Sequence, residues 1–441
     1  MKKVISVLLI LAMTLTMFTA CGSDSKGTEE KKETTDSESK DDVTTITYWG
    51  WDSNFTDPTF SAFMKEHPEI KIEATDVGYS DLFPKVQQAL ASGSELPTMV
   101  PMNNTLAESF KQLDMMEDLS GEPYNAKPEE WVNYVVKRNT TDDGQMIGLG
   151  ENVTPSGIAY KRDLDKKYFG TDDPNELAAM FETYDDYIEK GKEVNEKSGG
   201  KDFLFHSGGA VGEWLYFADQ TEVQIGNEVN FTEKMTNVLD VLCRMRDNKV
   251  VDTYENGTPQ ANATYADENH IFYPCPDWAI TYYIKANDPD GSGNWGIMKP
   301  PGGGYSAGGT SIGISSDATD EQKEAAWKFI QWVLTSDEGV KVNKEEAGYI
   351  TTYKKYCEDE SFTTNEDEYF GGQDTGKLFY SEILPNCKIP ETSVYDQTIV
   401  DIRDLLATAI MADDSLTVDD AIKQGLEECE NRITESDITI K

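Results

Sequence analysis

Residues 45–104 constrain this chain most, because their apolar spacing switches repeatedly between period two and period 3.6. Ile46 and Tyr48 share one face of a short strand, and Thr45 and Thr47 the other. Phe60, Phe63 and Met64 follow at helical spacing, with Asp57-Pro58 as cap and first-turn proline and Pro68 as the stop. Ile70, Ile72 and Ala74 alternate again. Leu82, Phe83, Val86 and Leu90 form the inner face of a second helix, capped by Ser80 or Asp81 and ended by Gly93, and Met99-Val100 opens a third strand. This is the strand–helix alternation of a mostly parallel α/β sheet. Ligands on such sheets sit outside the carboxyl ends of the strands. Trp49, Trp51 and Asp52, gathered around Gly50, therefore either line a cleft lip or, for the two rings, pack into a core.

Residues 1–20 read as a secretory signal: Lys2 and Lys3 precede an apolar run, residues 4–13, broken only by Ser6. The run is shorter than the roughly 20 apolar residues of a membrane span. Phe18-Thr19-Ala20-Cys21-Gly22 resembles a bacterial lipobox, with Phe18 where leucine is usual, which implies lipidation of Cys21. Residues 23–42 are polar and charged and hold no aromatic or large aliphatic side chain, so they are expected to stay disordered. With Cys21 they form a tether, residues 21–42, to a folded part beginning near Val43.

Acidic residues number 81 against 39 basic ones, a formal charge of −42. Such a surface repels phosphate backbones, which excludes nucleic acid as a partner, and it argues against a strongly anionic ligand. About 400 residues exceed one compact core and imply two lobes. Besides Cys21 there are five cysteines, an odd number, so one at least stays unpaired within the chain. Joining Cys357 to Cys387 would close a ~30-residue loop, stabilising by about 3–4 kcal/mol in the chain-entropy account. Cys243 adjoins the apolar helix face Met235, Val238, Leu239 and Leu242 and reads as a core thiol.

Sequence motifs for catalysis fail on context. Gly309-Thr310-Ser311-Ile312-Gly313 matches a nucleophile elbow, but Ser311 lies in a strand-like run and His67, His206 and His270 all precede it. The run 287–293 has Lys299 at the twelfth position counted from Asp288, where a calcium loop needs glutamate, so it reads as a turn. The glycine-rich run 302–309 lacks the lysine of a phosphate loop and reads as a flexible cleft loop carrying Tyr305. No cysteine or histidine spacing suits zinc. No catalytic residue, metal or cofactor is expected.

Three early motifs, T-I-T-Y-W-G-W, F-x-x-x-H-P-E-I-K-I-E (63–73) and A-L-A-S-G-S-E-L-P (89–97), are similar to the opening of extracellular solute-binding proteins of family 1, the maltose-binding-protein-like receptors of sugar transporters. G-I-A-Y-K-R-D-L (157–164), P-D-W (276–278), W-G-I-M-K-P-P (295–301), Gly308-Gly309 and the run 325–339 continue the resemblance in order. Thr98 departs from it, standing where the family usually has aspartate. The resemblance implies an α/β, two-lobe (type II) periplasmic-binding-protein-like fold with the ligand cleft between the lobes. Lobe one would span residues 43–150, lobe two 151–293, the return to lobe one 294–340, and the C-terminal helices of lobe two 341–441. The chain would cross near 150–153, 294–314 and 339–353. The implied protein is a lipid-anchored extracytoplasmic monomer that delivers a neutral sugar to the membrane permease of an ABC transporter, without chemistry; the alternatives are a secreted carbohydrate-active enzyme and a binding protein for a non-sugar solute such as a peptide or polyamine. In such a cleft Trp51 and Trp278 would stack on the sugar, with Trp49, Trp214 and Tyr305 as further rings. Asp52, Asn103 and Glu151 would take hydroxyls, and Tyr79 either role.

Overall fold

The computed structural model describes residues 43–441; the leader, Cys21 and the tether lie outside the described residues. Strand β1 (Thr44–Gly50), helix α1 (Ser53–Glu66), β2 (Ile70–Asp76), α2 (Leu82–Ser92) and β3 (Met99–Asn103) follow in the expected alternation. α1 starts earlier than Asp57-Pro58 suggests. The Asp52 side chain accepts the Phe55 N–H at 3.2 Å and caps the helix, leaving Pro58 inside it. A carboxylate on an otherwise orphaned N–H is the stronger start signal.

The chain continues through α3 (Asn133–Arg138) and β4 (Leu149–Gly150) to β5 (Pro155–Lys161). Next come α4 (Gly208–Ala218), α5 (Phe231–Asp247), β6 (Phe272–Pro276), β7 (Trp295–Met298) and β8 (Tyr305–Ser306). β9 (Thr310–Ile314), α6 (Asp320–Thr335), α7 (Asp396–Ala412) and α8 (Val418–Arg432) complete the elements that place the site.

Two sheets result. In the first, β1 lies parallel to β2 and β3, and β9 runs antiparallel between β3 and β4. Only β9 runs against the other four strands, so the mostly parallel expectation holds for this sheet. The second sheet is antiparallel throughout: β5, buried along its whole length, pairs with β6, β7 and β8. The stretch 294–340 divides between the sheets, since β7 and β8 stay on β5 and only β9 and α6 join the first sheet and its core. Trp-Gly-Ile-Met in β7 is buried at every residue, so its pattern could not say which sheet it joins. The stretch 341–441 divides as well. Ala347 and Tyr349 pack into the first core, whereas α7 and α8 pack with α4 and α5 in the second.

Phe329 on α6 centres the first core, with Phe60 and Phe63 of α1 edge-on at 5.0 and 5.2 Å. Thr319 and Gln322 cap α6 reciprocally, as their spacing predicts. Ser311 is buried in β9 and accepts the Asn139 amide at 2.7 Å, so the elbow motif is strand interior. All five described cysteines are free. Cys387 does not bridge to Cys357 but points its thiol at the Tyr305 carbonyl, 3.1 Å away. Cys243 is buried as expected.

Phe329→Ala should destabilise the protein by about 3–5 kcal/mol, the cost of deleting a fully buried ring. Urea unfolding followed by tryptophan fluorescence checks this; an unchanged midpoint would contradict the packing.

Candidate functional site

Two short connectors join the sheets: residues 151–154 lead from β4 to β5, and 307–309 lead from β8 to β9. They are bonded to each other. The Glu151 N–H donates to the Thr310 carbonyl at 2.9 Å, and the Thr310 N–H donates to Asn152 Oδ1 at 3.0 Å. The second connector also takes one side chain from each half. Trp278, just past β6, donates its indole N–H to the Ala307 carbonyl at 2.9 Å. Asn104, just past β3, donates its amide to the Gly308 carbonyl at 2.7 Å. Gly308 and Gly309 have φ of +90° and +100°, which side chains rarely adopt. A Cβ at Gly309 would lie 2.1 Å from Asn104 Nδ2, and one at Gly308 would lie 2.9 Å from Trp278 Nε1.

The carboxylates expected to hold ligand hydroxyls are placed at this junction. Asp52 does take hydroxyls, but they belong to the protein. Tyr282 donates to Oδ1 and Tyr349 to Oδ2 at 2.8 Å, so with its helix cap the carboxylate is committed inside the fold. Glu151 is 3% exposed and its Oε1 has no partner among the described residues. Burial, with the Asp52 charge second, pushes its pKa up to about 8, so it is an uncharged acid at neutral pH. Asn103 caps the turn after β3 through the Leu106 N–H at 2.9 Å.

The predicted aromatic residues separate into two groups. Trp214 is fully buried against Tyr184, Tyr187 and Phe205, and Tyr305 is 1% exposed with its hydroxyl toward the Gly157 carbonyl. Both belong to the second core, and neither offers a ring face for stacking. Trp49 carries the Lys85 ammonium 4.1 Å above its ring, so that face is taken. Trp278, Trp51 and Tyr79 keep accessible surface. Trp51 and Tyr79 meet edge-on at 4.9 Å in the first half. Tyr79 is 44% exposed, yet surrounding protein raises its hydroxyl pKa, opposed by Thr105, and the charges of Glu213, Arg403 and Asp401 act on it from the second half. It therefore looks across at α4 and α7.

Glu213, Asn256, Trp278 and Tyr283 line a small recess, floored by Trp214 and Tyr305. Burial raises the Glu213 pKa, with Arg403 pulling the other way. The sequence reading passed over Glu213 in favour of its neighbour Trp214. The available signal was that Glu213 is the one charged residue in Gly-Gly-Ala-Val-Gly-Glu-Trp-Leu-Tyr-Phe-Ala. Tyr282 and Tyr349 were also missed, because nothing local marks a tyrosine as the partner of an aspartate some 230 or 297 positions away.

Residues 59–369 match the model of the family described as bacterial extracellular solute-binding protein. The chain belongs to this family. Comparison with curated proteins gives no significant match. Among solved structures, an extracellular solute-binding protein of family 1 superposes with a TM-score of 0.74 at 20% identity, covering 88% of this chain and 99% of that one. The ABC-transporter-associated binding protein of B. animalis subsp. lactis Bl-04, solved with beta-1,6-galactobiose, gives 0.72 at 17% identity over 90% and 100%. The galacto-N-biose/lacto-N-biose I-binding protein of Bifidobacterium longum, solved with lacto-N-biose, gives 0.72 at 17% identity over 91% and 99%. At these identities the likeness establishes the two-lobed α/β fold.

Buried acids set the pH response of this solute-binding protein. Besides Glu151, burial pushes Asp277 up to about 7 against the Tyr380 hydroxyl, and Asp396 up to about 7 against the Ser393 amide, Arg138 and Lys234. A carboxyl whose folded pKa is raised binds more protons folded than unfolded, so stability falls as pH climbs from about 4 to 8. The melting temperature should decline from pH 5 to pH 8. Glu151→Gln should flatten the upper part of that decline, which Glu151 alone makes a few kcal/mol deep. Melting curves that rise with pH would contradict the buried-acid assignment.

Proposed function

We propose that this family member captures a sugar between its lobes and hands it to the membrane permease of an ABC transporter, performing no chemistry itself. The observation that carries the reading is the Trp278 recess. The indole N–H of Trp278 is spent on the Ala307 carbonyl, which fixes the ring and leaves its surface for contact. Glu213 and Asn256 lie beside it. A flat apolar face flanked by hydrogen-bonding groups suits a pyranose, which has C–H faces and a hydroxyl rim. Trp51 and Tyr79 supply aromatic surface from the first half. The galactobiose and lacto-N-biose carried by structural neighbours support a saccharide as the solute.

Because these groups come from both halves, a ligand touching all of them binds the closed arrangement better, and only that difference drives closure. The leader and Cys21 support lipid anchoring on the extracytoplasmic side, with residues 21–42 as the tether. One acyl chain holds a protein at a membrane only marginally, so the anchor carries more than one.

Trp278→Ala should weaken saccharide binding by about 1–3 kcal/mol, with a modest fall in the unliganded melting temperature from the lost bond to Ala307. Calorimetry over mono- and oligosaccharides, with product analysis, checks this. Unchanged affinity returns Trp278 to a packing role, and turnover of a sugar would replace the reading with catalysis. Cys21→Ala should release the protein from membranes into the soluble fraction; retention there would remove the anchor.

A further inference from the structure

Five of the six arginines are engaged by acceptors. Arg162 holds Asp172 and the Trp295 and Phe370 carbonyls, Arg244 holds Asp185, Arg246 holds Asp247 and three carbonyls, Arg403 holds Asp404, and Arg432 holds Glu428. Arg138, at the end of α3, is the exception. Its Nε is buried without a partner, and among the described residues its guanidinium makes no hydrogen bond or ion pair. Its guanidinium stands 5.9 Å from the Tyr134 ring centroid, and the charges of Asp396 and Glu108 reach it without a direct bond. In a chain with 81 acidic residues, a guanidinium bonded to no carboxylate needs a reason. Arginine cannot shed its proton to escape burial, so the desolvation cost stays in the fold until an anion arrives.

The surroundings say what kind of anion. Arg138 lines an open pocket, with Asn104 and Thr105 from the first half and Tyr216, Phe217 and Lys234 from the second. The segment 388–392 also lines it, and that region reaches both halves. Thr392 donates to Glu108 at 2.6 Å and Glu391 pairs with Lys137, while Ser393 donates to Gln224 at 2.8 Å. Glu108, the acid that could have answered Arg138, is occupied by Lys111 at 2.6 Å. Gly308, whose carbonyl neighbour holds Trp278, borders the same cavity, so it adjoins the aromatic recess.

We propose that the solute is an acidic saccharide, a uronic acid or an oligosaccharide containing one, whose carboxylate docks on the Arg138 guanidinium. The fork of N–H donors matches a carboxylate in two parallel bonds. Asp219, Glu391 and Asp396 line the same cavity, which penalises a doubly charged phosphate more than a singly charged carboxylate. This assignment rests on the sugar-binding reading and reverses the expectation of a neutral ligand.

The test is calorimetry on the full-length protein with galacturonate and digalacturonate, glucuronate, their neutral galactose and glucose counterparts, and galactose 1-phosphate. A uronate should bind at least tenfold tighter than its neutral counterpart. Arg138→Met should abolish that preference while leaving neutral-sugar affinity unchanged, and Arg138→Lys should restore only part of it. The unliganded Arg138→Met protein should melt higher than wild type, since an unpaired buried cation is gone; a purely structural arginine gives the opposite sign. Equal or tighter neutral binding, or uronate affinity indifferent to Arg138→Met, overturns the proposal and leaves sugar capture standing. Tightest binding of the phosphate overturns the carboxylate. If no saccharide of any kind binds, sugar capture fails and this inference with it.

Discussion

Two glycines at the second connector are the constraint on which the rest of this structure depends. Gly308 and Gly309 let residues 307–309 pass between the sheets, because these two take backbone angles closed to most side chains. Because they lack Cβ atoms, Trp278 can approach from one half and Asn104 from the other, each bonding a carbonyl of the connector. One short segment thereby fixes the orientation of the main candidate binding ring and of the turn after β3. Besides the two connectors and the longer passage from Tyr349 to α7, side-chain bonds such as Thr105 to Gln397 join the halves. Interfaces of this kind between lobes are where a two-lobed protein opens and closes.

Charge is distributed with the same economy. Lys161, 3% exposed, is held by the Thr264 carbonyl at 2.9 Å and the Asp267 carbonyl at 2.5 Å, and Asp267 in turn holds His270, whose other ring nitrogen meets Asp252 at 3.1 Å. The second half thus pins its buried cations with carboxylates. At the junction the acids are handled differently: Asp52 is answered by tyrosine hydroxyls, and Glu151 is kept neutral by burial. Arg138 follows neither pattern: it lines a pocket and is bonded to no acceptor among the described residues.

Much of the architecture was legible because it is encoded locally. The spacing of Ile46, Tyr48, Phe60 and Phe63 fixes β1 and α1, and the Thr319 and Thr417 caps mark helix starts through bonds reaching three residues. The family motifs place the strands and helices in order. Of the rings singled out in sequence, Trp51, Tyr79 and Trp278 keep accessible surface. Trp214 and Tyr305 misled because a tryptophan in a helix and a tyrosine in a glycine loop look the same in sequence whether their rings are buried or open. Asp52 misled in a different way, since the hydroxyls it binds come from its own chain.

By itself, the sequence determined the elements, their alternation, the acidic surface and the junction glycines, because each depends on neighbours within a few positions. Only the tertiary structure decided which sheet β7 joins, which rings face a recess, and which ionisable groups find partners. Those outcomes depend on contacts across the chain: Tyr349 on Asp52 spans 297 positions, and Thr392 on Glu108 spans 284. Burial and pairing are properties of the assembled fold. No single residue carries a mark of them, and so neither the neutral Glu151 nor the partnerless Arg138 could be read in advance.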